Sequence, residues 1–586
     1  MAEDQVGREP IQICEIVQPR CANDYGVSPC TASGTDDQKC YLTRATCQDT
    51  ANFALGTPLS LFFAKGMVAD MGVSGADYII PSLVSVSTAP TRINLASANP
   101  DAQGLGNRAL CTITFQDHAH SDRVVDPYVD GRSWNPLDKS RGSFWTRWLV
   151  RNKYRQNIQI RVYEGYAGQA LSAMTKRIYF LQSVQGPDSS GRVVMQGKDI
   201  LARIEERKAQ APVASAGVLL SDITDTATSF VVAGALLSEY PASGSVRIND
   251  EVLTYTARAA SGDNISFTGV TRGQDGTTAD AHEVDDTVQL CLRYSNAEIH
   301  TVLEDLLTTY GGIDGSFLDT TGWETEIDNY RSLFRLNTLI TEPTSVAQLV
   351  SQIQTQTMCY LWWDERAAEV YLKAIRGIDE APTRFTDESN ILEGSFALTE
   401  RPRERASQIW LSYDKRDAAG RNDDTKNYAT TLIVANLESE TDALYGEPSI
   451  RRIFCNWLTS GAFVQTIGSI LITRYVDVPS QLAFRVDAKD RAIWVGDTVE
   501  ISHYLDVDQY GERRIRRWTI ISAQEIVPGE VVEYTAEDTT LYGEINYIMA
   551  AGSADYPGAA AKPFGALYIG DADGLLSDGT PCGRIS

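Results

Sequence analysis

Five of the ten cysteines in this 586-residue chain fall between Cys14 and Cys47. The last four, Cys21, Cys30, Cys40 and Cys47, follow one another with gaps of eight, nine and six residues. Thiols crowded this closely are there to be tied together, by disulfides or by a metal centre. Four thiolates satisfy tetrahedral zinc or a cubane iron–sulfur cluster. The spacing does not choose between these, because no gap is the two-residue one usual in zinc knuckles. Gly26 and Gly34 allow tight turns between ligands. The other five cysteines, Cys111, Cys291, Cys359, Cys455 and Cys582, stand singly and read as small buried apolar residues.

A second group with chemical capacity is Asp117, His118, His120, Asp122 and Asp126. It can be drawn as a metal or hydrolytic site. Two histidines without a serine elbow or an H-E-x-x-H helix make a weak case, and a polar loop at a strand end is the expectation. The chain also lacks a phosphate loop, a nucleotide fingerprint and a Ser–His–Asp pattern. No residue is therefore assigned a catalytic role, and a non-enzymatic, structural protein is expected. A hydrolase acting on cell wall through Asp117, His118, His120 or Asp122 is the alternative.

The background to these residues is acidic. Lys and Arg number 52 against 77 Asp and Glu, a formal net charge of −25. Such a surface repels nucleic acid and anionic membrane. No apolar run approaches the ~20 residues that span a bilayer. The start, MAEDQVGREPIQICEI, has neither a basic region nor an apolar core, so no secretory leader is expected. Synthesis in a reducing cytosol follows as an expectation, and it disfavours disulfides.

The elements that would position the thiols divide into six expected regions of a multidomain, mainly β chain. Residues 1–75 form a cysteine-rich module whose few apolar residues, Ile11, Ile13, Phe53, Leu55, Leu59, Leu61, Phe62 and Phe63, are too few for a core, so a metal staple is expected. Residues 76–212 are β-rich, with alternating runs at 110–115, 158–163 and 177–181. Residues 213–290 are rich in Thr, Ser and Gly and read as a small inserted β domain, a spacer or a sugar-binding unit. Its TRGQDGTT run predicts tight turns with Gly273 and Gly276 at positive φ. An α+β region spans 291–400, with helices at Ile299–Leu307 and after Ser345, then a hairpin joining 360–364 to 369–375. Region 401–545 is β-rich with one helix near Val464–Leu471. Residues 546–586 read as a flexible tail, ordered only against a partner.

Several blocks carry a family resemblance. CANDYGVSPCTAS, KCYLTRATCQDTANF, TFQDHAHSDRVVDPYVDGR and FTGVTRGQDGTTADAH resemble segments of baseplate-hub proteins of long, non-contractile-tailed bacteriophages. In the C-terminal half, LITEPTSVAQLVSQIQTQTMCYLWWDERAAEVYLKAIRG, FRVDAKDRAIWVGDTVEIS and DQYGERRIRRWTIISAQE are similar to their hub domains. Together these blocks cover most of the chain. The resemblance implies α+β hub domains stacked in a homotrimeric ring at the tail tip of a virion assembled in the host bacterial cytoplasm. Its implied partners are the distal tail ring, the tape-measure protein and a central fibre or receptor-binding protein, with DNA passing through the lumen unbound. Lambda-like tail-tip proteins and gene-transfer-agent hubs hold an iron–sulfur cluster on four cysteines. That likeness implies a [4Fe-4S] cluster on Cys21, Cys30, Cys40 and Cys47, with zinc as the other metal to consider. In the lambda-like protein the cysteines lie toward the C-terminus, whereas here they lead the chain. Cys14 offers a second ligand set, replacing Cys30 and giving gaps of six, eighteen and six.

Overall fold

The computed structural model describes residues 9–95, 105–119, 122–135, 137–375, 382–527 and 529–539, with the strands Ile545–Ile548 and Ala566–Ile569. His120, Cys582 and, apart from those strands, the expected tail lie outside the described residues.

Alternation does what it predicts in the N-terminal third. Along Leu110–Gln116, Cys111, Ile113 and Phe115 are buried while their neighbours are not, as a half-buried strand requires. This is β5 of an eight-stranded sheet with β1 (Pro10–Gln18), β2 (Leu59–Ala64), β3 (Ile79–Ile80), β4 (Leu83–Ala89), β6 (Gln159–Tyr166), β7 (Thr175–Gln185) and β8 (Arg192–Lys198). The order is β3-β2-β1-β6-β7-β8-β5-β4. Cys14 in β1 stands opposite Phe63 of β2 and Val162 of β6.

β1 is buried on both faces. Cys14 and Ile16 face a core shared with Phe63, Phe115, Trp145 and Trp148, while Ile11 and Ile13 face a second core with Val68, Tyr163 and Met174. The expected boundary after residue 75 is therefore not where the structure divides. Ile11, Ile13, Leu61 and Phe63, which looked too few to form a core, are core residues of the larger sheet. The β6 partner of β1 is more than 140 residues away in sequence, and periodicity carries no record of such pairing.

The C-terminal half is built around one large core. Helices α3 (Ile299–Asp305, continued by a wider turn to Tyr310), α4 (Thr320–Arg331), α5 (Val346–Thr357) and α6 (Gly461–Tyr475) pack there against several sheets. A hairpin pairs Cys359–Asp364 with Glu369–Ala374, and its Trp362 and Trp363 are buried in this core. A six-stranded sheet here is ordered 383–386, 498–507, 513–527, 531–538, 480–487 and 397–400. A three-stranded sheet is centred on Gln408–Lys415.

Residues 218–290 carry two small sheets and a core of their own. Phe267 lies at its middle, stacked on Phe230 at 4.8 Å with the Tyr240 and Tyr255 rings edge-on. Gly273 and Gly276 adopt φ of +58° and +83°.

Candidate functional site

β1 and β2 pair antiparallel from Gln18↔Leu59 inward, so residues 19–58 are one long connection between neighbouring strands. All four clustered cysteines lie on it. Its mouth is zipped by backbone: Gly56 N donates to Arg20 O at 2.9 Å, Ala22 N to Ala54 O at 2.8 Å. A side chain at Gly56 would meet the Ala22 backbone, which explains glycine there. Trp148 Nε1 donates to Gln18 Oε1 at 2.8 Å and ties the last β1 residue to the helix above it.

Apart from one short turn at Asp36–Gln38 the connection has no helix. Within it only Tyr25, Cys40 and Thr43 are buried. A forty-residue segment with so little apolar burial needs other restraints. Cys40 lies at its centre. Burial pushes the Cys40 thiol up, and the neighbouring Cys47, Cys30 and Cys21 thiols push it further. The Leu42 N–H, which donates to the Cys40 sulfur, opposes this. Leu42 holds φ at +56°, a conformation costing a leucine about 1 kcal/mol or more.

Cys14 is elsewhere. It is fully buried in the sheet core, where burial and then Cys111 raise its thiol. The thiols that act on Cys40 are Cys21, Cys30 and Cys47, so Cys30 rather than Cys14 shares its surroundings. All described cysteines carry free thiols. Among the described residues, no three His, Cys, Asp or Glu side chains are closed into a metal-binding group. In chemistry, four thiols are the donor set that a soft metal or an iron–sulfur cluster takes, and an amide N–H is already on the Cys40 sulfur.

The connection is docked onto residues 122–151 by cations and rings. Arg132 is paired with buried Asp126 at 2.9 Å, and its Nη1 donates to the carbonyls of Asp36 and Lys39 at 2.6 and 3.0 Å. Arg151 pairs with Asp122 at 2.8 Å, and its carbonyl accepts from Thr43 Oγ1. Both guanidiniums lie over the Tyr41 ring, 4.5 and 3.9 Å from its centroid. Tyr25 N donates to the Tyr128 hydroxyl at 2.8 Å, and Ser133 N to Asp37 at 2.7 Å. These partners were not singled out from the sequence. The available signal was Tyr41 beside Cys40 and the basic–aromatic run RGSFWTRWLVRN.

That run forms α2 (Phe144–Arg151), capped by Ser143 and Thr146. It also settles the roles of the other candidate residues. Asp117 Oδ1 accepts from the amides of His118 and Trp145 and so fixes the start of α2. The His118 ring stacks on Phe144 at 5.2 Å. Asp122 is buried between Arg147 and Arg151, and Asp126 is held by Arg132. Asp122 and Asp126 are thus committed to buried ion pairs, and Asp117 to two backbone amides. Among the described residues no helix is long and apolar enough to cross a membrane.

The sequence matches no protein-family model, and no curated protein is similar to it. Solved structures with a similar chain arrangement include phage tail and virion proteins. One is the 43 kDa tail protein of prophage MuSo2 from Shewanella oneidensis, at 9% identity and TM-score 0.34, covering 78% of this chain and 98% of that one. Another is a tail protein from Neisseria meningitidis MC58, at 7% identity and TM-score 0.35 with the same coverage. A third comes from the virion of a native gene transfer agent particle, at 12% identity and TM-score 0.29, covering 58% and 93%. Each is a partial likeness in arrangement and says nothing of function.

Proposed function

We propose that the chain is a structural baseplate hub of a phage tail tip, in which Cys21, Cys30, Cys40 and Cys47 hold an iron–sulfur cluster as a fixed cross-link. The observation that carries this is the gathering of Cys21, Cys30 and Cys47 around Cys40 on a connection with almost no core. Support also comes from the hub-like sequence blocks, which cover most of the chain.

A bound cluster would supply a covalent staple joining three turns of the connection. The chain's own residues do the rest. Arg132, Arg151 and Tyr41 fix the connection over α2, and the Leu42 amide orients the Cys40 sulfur. In this reading three copies form a ring that closes the tail tube, meets the distal tail ring and tape-measure protein above, and holds a central fibre below. The net charge of −25 suits a lumen through which DNA slides without sticking.

Anaerobically purified protein is expected to be brown, to absorb near about 400 nm and to contain iron and acid-labile sulfide. Colourless protein containing zinc would replace the cluster with a zinc staple, and protein with neither would remove the cross-link altogether. Gold-labelled antibody on intact virions is expected to mark the tail end away from the head; label on the head would overturn the hub.

A further inference from the structure

Between residues 218–290 and the body of the chain lies a cavity of about 560 Å3, within the range of small-molecule sites. Beside it the small unit meets the body in a specific contact. Asp275 O accepts from Ala418 N at 3.0 Å, and the Asp275 carboxylate pairs with Arg293. Gly276 lies against the Arg416 carbonyl with φ at +83°, where a side chain would collide.

Three cations line this space: Arg421, paired with Asp423 at 2.8 Å, and two that face it from opposite sides of the junction. Arg247 comes from the small unit; its Nε donates to the Asn249 carbonyl at 2.6 Å, while its contacts to Asp250 and Glu342 are long, 3.4 and 3.5 Å. Lys415 comes from the body, at the end of its strand. Its Nζ donates to the Ala418 carbonyl at 2.9 Å, and among the described residues no carboxylate lies within ion-pair distance of it. Burial pushes the Lys415 amine down to about 8, and Arg247 pushes the same way, against Asp417 and Glu342. A half-buried ammonium with spare N–H donors, beside a guanidinium whose terminal nitrogens make only long contacts, favours an anion.

The remaining wall narrows the chemistry. Thr338, Thr341, Gln352 and Asn456 offer hydroxyls and amides, and Asp250 and Glu342 offer acceptors for hydroxyl protons. No aromatic ring lines this cavity, so it offers no stacking platform for a base. We propose that the cavity binds a polyhydroxylated anion, an acidic or phosphorylated sugar, with its charge on Lys415 and Arg247 and its hydroxyls on the polar wall. This site is independent of the thiol cluster and of the hub reading.

Calorimetric titration of the full chain with glucuronate, glucose 6-phosphate and glucose tests it. At about pH 7 one or both anions are expected to bind at least about tenfold tighter than glucose. A preference between the two separates carboxylate from phosphate. Lys415→Met is expected to weaken the anion at least about tenfold while leaving glucose unchanged. Equal binding of glucose, or an unaltered Lys415→Met affinity, overturns the proposal. Should that variant fail to fold, wild-type protein supplies the readout: the bound anion is expected to slow reductive methylation of Lys415, and an unchanged labelling rate overturns the site.

Discussion

Two parts of this molecule depart from the scaffold, and they are held in opposite ways. Residues 19–58 leave a hairpin between paired strands and bury only Tyr25, Cys40 and Thr43. Residues 218–290 leave the body further along and bury an aromatic centre of Phe230, Phe267, Tyr240 and Tyr255. The first is fixed from outside by Arg132 and Arg151, and the free thiols of Cys21, Cys30 and Cys47 act on Cys40 at its centre. The second is fixed from inside, by apolar packing and a buried ionic knot. The second is the longer, 73 residues against 40. The difference lies in how much apolar surface each removes from water, which decides whether a segment of this size orders itself or needs a staple.

The largest expected effect follows from that contrast. Cys40→Ser is expected to free the connection, at a cost that for structural metal sites is on the order of 10 kcal/mol. Limited proteolysis followed by mass mapping is expected to show rapid cleavage within 19–58 and none within 218–290. Continued resistance of 19–58 would mean that the arginine contacts alone hold it. Next comes Phe267→Ala, expected to cost about 3–5 kcal/mol through the cavity left among four rings. Hydrogen exchange is expected to accelerate across 218–290 while 19–58 stays protected; acceleration of both would show the two regions to be one cooperative unit.

Arg132→Met is expected to cost about 3 kcal/mol, because Asp126 becomes a buried unpaired charge and the carbonyls of Asp36 and Lys39 lose their donor. Exchange is expected to rise at residues 34–43 before anywhere in the small unit. No change there would assign the docking to Tyr41 and Arg151 instead.

How much of this was legible in the sequence depends on the range of the interaction. Local signals worked. The alternation at 110–115, the helix after Ser345, the hairpin around Trp362 and Trp363, and the positive φ of Gly273 and Gly276 all follow from short-range sterics and periodicity. Fold class was legible at the level of mainly β with several sheets. The status of residues 1–75 was not, because Cys14 and Ile16 are core only through β6. Spacing brought the four cysteines under suspicion but could not choose between Cys14 and Cys30. That choice depends on β1 running through the sheet, which carries Cys14 into the core beside Cys111. Asp122 and Asp126 resembled a reactive cluster until Arg151, 29 residues along the chain from Asp122, and Arg132, six from Asp126, were placed beside them.

The smallest effect concerns the ionic knot, and here the TRGQDGTTADAH run gains a physical purpose. Glu251 is buried, and its carboxylate accepts from Arg272 twice, at 2.8 and 2.6 Å, from Gly273 N at 2.8 Å and from Asp280 N at 3.2 Å. His282 Nε2 lies 2.8 Å away. Burial alone would raise this carboxyl, but the Arg272, Gly273, Asp280 and His282 donors outweigh it and hold Glu251 below the usual range. A carboxyl with a depressed folded value stabilises above its unfolded value of about 4.3, and that stability is lost as pH falls through the folded value. Thermal stability of the 218–290 unit is therefore expected to drop on acidification below about pH 4.3. Glu251→Gln keeps the shape, removes the charge opposite Arg272, and is expected to cost about 2 kcal/mol at neutral pH. It should also flatten the acid dependence. An E251Q protein whose small unit still loses stability on acidification as steeply as wild type would move the pH sensitivity elsewhere.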